Sequence, residues 1–228
     1  SGDGNSDGLG NGGIVAYVHS DSTLLLENSV VRQNKGDGIT AMGAFRINNC
    51  IIDHNAGTGL FVTSQCRARV LNCTLVSNGS RGLFASSDAG NLLAVNNIIA
   101  YNALGLLSQC PADTHHTCHW SNGDGNQVWG QGDIVLDPLF VNKDDQNFHL
   151  MANSPCIDAA TSTDVPDIDI DGQSRPYGAA FDMGAYECSP TLFFRRGDVD
   201  GNGGRQVTGP VKLLGYLFLG EAVPSCLD

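Results

Sequence analysis

Three acidic turns carry the residue types and spacing of an oxygen-ligand loop for a divalent cation. Asp198, Asp200 and Asn202 stand at positions 1, 3 and 5, with Gly203 at 6 and Gln206 at 9. Asp167, Asp169 and Asp171 repeat the 1, 3, 5 spacing before Gly172, and Asp3, Asn5 and Asp7 repeat it before Gly8. Calcium takes oxygens at such alternate positions, completed by a carboxylate at position 12. That position is Gly209 in the first loop and Gly178 in the second. The expectation is therefore calcium of modest affinity, set against a solvated acidic turn. Asp171 and Arg175 are close enough in sequence to form a turn-capping ion pair.

His115, His116, Cys118 and His119 offer transition-metal ligands, but their spacing matches neither a zinc finger nor a zincin helix. A polar loop with Cys110 and Cys118 bridged across it is the stronger reading. Eight Cys without a CxxC pattern fit an exported, partly disulfide-bonded chain. The net charge of −12 excludes a phosphate-backbone binder, so no nucleic-acid partner is expected. No apolar run reaches the ~18 residues of a membrane span.

The elements that would position these residues come from a repeat. Asn28–Asn34, Asn49–Asn55, Asn72–Asn78 and Asn96–Asn102 align, each followed by Gly and an aliphatic residue: Gly38-Ile39, Gly59-Leu60, Gly82-Leu83 and Gly105-Leu106. The starts are 21, 23 and 24 residues apart (28 to 49, 49 to 72, 72 to 96). Gly at 29 of 228 residues and only 16% charged residues exclude a helical bundle. Alternating apolar residues give three inward columns: Leu26/Ile47/Val70/Ala94, Val31/Ile52/Leu75/Ile99 and Ile39/Leu60/Leu83/Leu106. Three inward columns mean three short strands per coil and an all-β parallel solenoid. Asn34, Asn55, Asn78 and Asn102 fall at one corner, where Asn tolerates left-handed dihedrals and can form a ladder.

Outward columns follow from the same register. Arg32 and Asp53 become neighbours with His54 beside them; they are the catalytic candidates, against an ordinary surface ion pair. Phe61 and Phe84 stack between Thr40 and Leu107. They form either a sugar platform or, preferably, the seat of the segment 137–187. Arg67, Arg69 and Arg81 sit in or beside turns with no acidic cluster near in sequence. Asp144-Asp145, the adjacent carboxylates, lie off the repeats. Cys50 and Cys73 share a column as stacked thiols.

This grammar resembles the right-handed parallel β-helix proteins of the pectate-lyase-like superfamily. Val128-Trp129-Gly130, Asp137–Val141, Ser154–Asp158, Asp169–Gly172, Arg175 and Asp182–Glu187 resemble the end segment of secreted bacterial members. Asp198–Gly203, followed by Pro210 and an apolar run, resembles half of a dockerin. The expected organisation is coils over 1–110, last coil and C-terminal cap over 111–188, and a linker with a short calcium-loop-plus-helix tail over 189–228. The resemblance implies an extracellular or cell-surface location and a polysaccharide or matrix partner. It also implies a cohesin-like partner for a full-length tail. Open end coils allow self-association. Two roles follow: a rigid glycan-binding scaffold, or a polysaccharide lyase or glycoside hydrolase.

Overall fold

The computed structural model describes residues 13–18, 22–123, 130–162 and 164–188, with side chains for all of these but 64–66. The strands are β1 (Ile14–Tyr17), β2 (Thr23–Glu27), β3 (Val30–Arg32), β4 (Ile39–Asn48), β5 (Ile51–Asp53), β6 (Leu60–Leu71), β7 (Thr74–Val76) and β8 (Arg81–Ala85). They continue with β9 (Asn91–Val95), β10 (Ile98–Ala100), β11 (Leu104–Ser108), β12 (Ala112–His115), β13 (Cys118–Trp120), β14 (Phe140–Asn142) and β15 (Asn147–Leu150). No helix occurs among the described residues, so none is long and apolar enough to cross a membrane.

The chain winds into a β-solenoid of about four turns. One sheet runs β3-β5-β7-β10-β13, all parallel. The other has two faces, one through β1-β4-β6-β8-β11 and one through β2-β4-β6-β9-β12. The long strands β4 and β6 supply both faces, and β4 shifts register between Met42 and Ala44. All three inward columns hold residue for residue: Leu26↔Ile47↔Val70↔Ala94, Val31↔Ile52↔Leu75↔Ile99 and Ile39↔Leu60↔Leu83↔Leu106. They form a single buried core.

Two polar corners hold the coils in step. Asn34 Nδ2 donates to Asn55 Oδ1 (2.8 Å), Asn55 to Asn78 (3.0 Å), Asn78 to Asn102 (2.9 Å) and Asn102 to Asn122 (3.1 Å). The left-handed residue at this corner is not the ladder Asn, as its type suggested. It is the residue before, Gln33, His54, Ser77 and Tyr101. The ladder Asn instead spends its side chain on the next coil. The left-handed Asn residues are Asn28, Asn49, Asn72 and Asn96 at the other corner, with φ between 49° and 59°.

The stretch 112–120 is not a polar loop. It forms β12 and β13, a further rung in register with Leu92–Val95 and Ile98–Ala100, onto which Ile134 bridges in parallel. Thr114 and His119 then fill the inward columns after Ala94 and Ile99, and both are buried. His119 Nε2 lies 3.4 Å from the buried Asp133 carboxylate. Burial pushes Asp133 up, but the His119 hydrogen bond and the N–H groups of Gly130 and Thr117 outweigh it and hold the carboxyl below its usual range.

Beyond Ile134, which bridges Cys118 in parallel as a continuation of the stack, the C-terminal segment covers the outer face of the β3-β5-β7-β10-β13 sheet. Phe140, Phe148, Leu150, Cys156, Met183 and Ala185 bury Ile51, Val76, Ile98, Ala100 and Cys118. Gly184 passes so close to the strands that an added Cβ would meet Ile98 Cδ1 at 2.7 Å, and its φ is +90°. The segment thus seats on this sheet, not on Phe61 and Phe84. The covered residues Ile51, Val76, Ile98 and Ala100 are apolar, so covering them removes more apolar surface from water.

Candidate functional site

Alternation along β4, β6 and β9 turns Phe45, Ile47, Ala68, Val70, Leu92 and Ala94 inward. It therefore turns Arg46, Arg67 and Arg69 outward. Arg46 pairs in register with Arg69, and Arg67 stands between Ala44 and Asn91. Adjacent rungs are ~4.8 Å apart, so like charges face one another directly. Arg46 Nε donates to Asn48 Oδ1 at 3.3 Å. Arg69 pairs with Asp164, which reaches in from the C-terminal segment, while its buried Nε has no hydrogen-bond partner among the described residues. Arg67 is exposed.

These side chains line an open cleft of about 1320 Å³, bounded by Ser22 and Thr23 at one end and Asp113 and Asp164 elsewhere. Three guanidiniums against two carboxylates make it locally cationic on a chain of net charge −12. Planar guanidinium forks bind carboxylates and sulfates in bidentate fashion. Sequence reasoning missed this site because it placed Arg67 and Arg69 near turns and did not weigh Arg46. The signal was present: Arg46 and Arg69 each precede an inward residue of one column, Ile47 and Val70.

The structure does bring Arg32, Asp53 and His54 together. Asp53 is wholly buried and accepts Arg32 Nε at 3.0 Å through Oδ1, while its Oδ2 lies 2.8 Å from His54 Nδ1. Arg32 also donates to Gln146 Oε1 at 2.8 Å. The carboxylate is thus committed on both oxygens, and the guanidinium ties the coil to the C-terminal segment. Beside it, Asn142, Gln146, Asn147, His149 and Tyr186 line a small pocket of about 360 Å³. His149 stacks on Tyr186 at 3.8 Å. Burial, with Asp171 nearby, pushes the Tyr186 hydroxyl up to about 12.

Phe61 and Phe84 stack at 5.2 Å with planes 5° apart, and the Arg81 guanidinium lies 4.8 Å from the Phe84 centroid. The rings are half-exposed. Phe61 and Phe84 are in register on adjacent rungs, so their faces stack from coil to coil, with the cation on Phe84.

Asp167, Asp169 and Asp171 do not converge. Asp169 is buried and accepts the N–H groups of Asp171, Gln173 and Glu187 at 2.8–2.9 Å. Asp171 faces His149 Nε2 at 2.8 Å instead. Among the described residues no group of three or more His, Cys, Asp and Glu is placed to hold a metal. Asp3, Asn5, Asp7, Asp198, Asp200, Asn202 and Gln206 lie outside the described residues, as does the helix expected after Pro210. Arg175 pairs not with Asp171 but with Glu187, at 2.7 Å and fully buried. It also donates to the carbonyls of Asp182 and Gly184, and so pins the C-terminal segment.

Cys110 and Cys118 are both free thiols, contrary to the bridge across that stretch. Cys110 packs against the inner core, whereas Cys118 points out beneath the C-terminal segment, so a β-strand wall separates them.

Parallel registers throughout the two large sheets, three inward columns and asparagine corners define a parallel β-helix, while β14 and β15 of the C-terminal segment pair antiparallel. The family model described as "Right handed beta helix region" matches residues 4–140, and the chain belongs to that family. Comparison with curated proteins and with solved structures gave no match.

Proposed function

We propose that this chain is an exported β-helix scaffold that binds an acidic polysaccharide along its arginine face and holds it without cleaving it. The observation that carries the reading is the in-register pair Arg46 and Arg69 beside Arg67 in an open cleft. Arg46 and Arg69 face each other a rung apart, with Arg67 two residues along the same strand, and like charges so placed destabilise one another. An extended ligand with repeated carboxylates or sulfates relieves that repulsion along the stacking direction. The β-helix family supports the long, regular face, and the resemblance to secreted members supports an extracellular or surface location. The dockerin-like residues Asp198, Asp200 and Asn202 fit a calcium-dependent anchoring unit with a cohesin-like partner.

Affinity electrophoresis tests the reading. Gels containing polygalacturonate, alginate or a sulfated glycan should retard the chain, and a neutral glucan should not. Added salt should weaken the retardation. Equal mobility in all gels would remove the proposal.

A further inference from the structure

Two carboxylates line the arginine cleft, and they stand in different relations to its cations. Asp113 belongs to β12 and shares the outward column of Arg46 and Arg69, but Leu93 separates it from Arg69. Asp164 comes instead from the C-terminal segment and pairs with Nη2 of Arg69. The chain is fixed on either side of it. Asn96 Nδ2 donates to the Thr161 carbonyl at 2.8 Å, and the Thr161 N–H donates to Asn96 Oδ1 at 2.9 Å. The Arg175 N–H donates to the Asp167 carbonyl at 2.9 Å. Asp164 is thus a tethered carboxylate, held near Arg69 at the high effective concentration that a short link gives.

The contact uses half of what the guanidinium offers. Nε and Nη2 lie on one edge of the planar fork, which a carboxylate can take with both oxygens. Asp164 meets that edge through Oδ2 alone, and Arg69 Nε is buried with no hydrogen-bond partner among the described residues. A buried donor left unpaired costs free energy that a second acceptor recovers. The two side chains are 40% and 44% exposed, so the pair is weak and Asp164 is free to swing into water.

On the reading of the cleft as a polyanion site, we infer that Asp164 holds the place of a ligand's anionic group on Arg69, so that binding exchanges an internal carboxylate for an external anion. The incoming group takes Nε and Nη2 together, and Asp164 turns out to water. A single carboxylate or sulfate gains one fork and must displace Asp164 to reach it. An oligomer that also contacts Arg46 and Arg67 offsets that loss with further forks. Asp164 therefore lowers affinity for every anion but selects repeated anionic groups over isolated ones.

The test is calorimetric titration of the full chain with a galacturonate oligosaccharide and, separately, a sulfated one, comparing the parent with Asp164→Asn. Asp164 has φ 55°, a backbone that Asn adopts readily, so the substitution removes the charge and keeps the turn. Should the variant melt below the parent, Asp164→Gly keeps the comparison, because glycine takes that φ freely. Asp164→Asn should bind a probe roughly two- to fivefold more tightly, the range of an exposed ion pair. Its binding should also weaken more steeply with salt, since a ligand on the parent replaces an internal anion and a ligand on the variant replaces salt ions. Asp113→Asn removes the same charge without touching Arg69 and should change affinity less. In the Arg69→Gln background the gain from Asp164→Asn should vanish. Failure of the parent and Asp164→Asn alike to bind either probe would remove the polyanion reading and the exchange with it. Equal affinity of the two, weaker binding by Asp164→Asn, an equal gain from Asp113→Asn, or a gain that survives Arg69→Gln would leave the cleft as the site and overturn the exchange.

Discussion

A Cβ placed on Gly59 would lie 2.7 Å from Nδ2 of Asn78, the ladder residue of the next coil. The same approach recurs between Gly13 and Asn34, Gly38 and Asn55, and Gly82 and Asn102, at 2.5–2.7 Å. The repeated glycine thus makes room for the asparagine one coil on, which explains why the two landmarks travel together. Gly59→Ala should cost about 1–3 kcal/mol by overpacking. Combined with Asn78→Ala it should cost less than the sum of the two single changes, because the side-chain clash is gone and only that with the Gly82 carbonyl, also at 2.7 Å, remains. Chemical denaturation of the three variants checks this; strict additivity would separate the two landmarks.

Ile51 faces out of the solenoid yet is 1% exposed, because the C-terminal segment covers it. Val30, its neighbour in the same outward column, is 48% exposed. Ile51→Ala should therefore cost ~2–5 kcal/mol, much like Ile52→Ala in the inner core. Val30→Ala should cost well under 1 kcal/mol. Equal small losses at Ile51 and Val30 would mean that the segment does not seat on this sheet.

Burial pushes the Asp182 carboxyl up to about 6, despite the Asp158 and Cys188 N–H groups it accepts. Its folded value lies above the ordinary 3.8, so between about pH 4 and 6 the folded chain holds more protons than the unfolded one. Stability from this group is present below that window and is lost as pH rises through it, by up to about 3 kcal/mol. His116, whose value burial and His115 lower, runs the opposite way over an overlapping range. Asp182→Asn isolates the effect. The variant should start less stable, since one acceptor is lost, but its melting temperature should rise more, or fall less, from pH 4 to 6. Parallel pH curves for the two proteins would contradict this.

The inward columns were legible because alternation and the Asn and Gly landmarks are local, and a solenoid repeats them at every rung. Two things were not. The rung of β12 and β13 was hidden where Thr114 and His119 put polar groups at inward positions, so it read as a loop. The docking face was mistaken because two stacked Phe drew the eye. The apolar outward residues Ile51, Val76, Ile98 and Ala100 were the better signal for a covered sheet. The arginine cleft needed the outward register and the distant Asp164, which sequence spacing does not supply.

The binding claim is tested most directly by titrating the full chain with an acidic oligosaccharide and following heat and ultraviolet absorbance together. The parent is compared with Arg46→Gln/Arg67→Gln/Arg69→Gln. The account predicts saturable binding that falls by at least about tenfold in the triple variant, since charge-assisted hydrogen bonds are each worth ~1.5–3 kcal/mol. It also predicts no rise in absorbance from unsaturated products. Undiminished binding by the triple variant would contradict the arginine face as the site, and accumulating unsaturated product would make the protein a lyase.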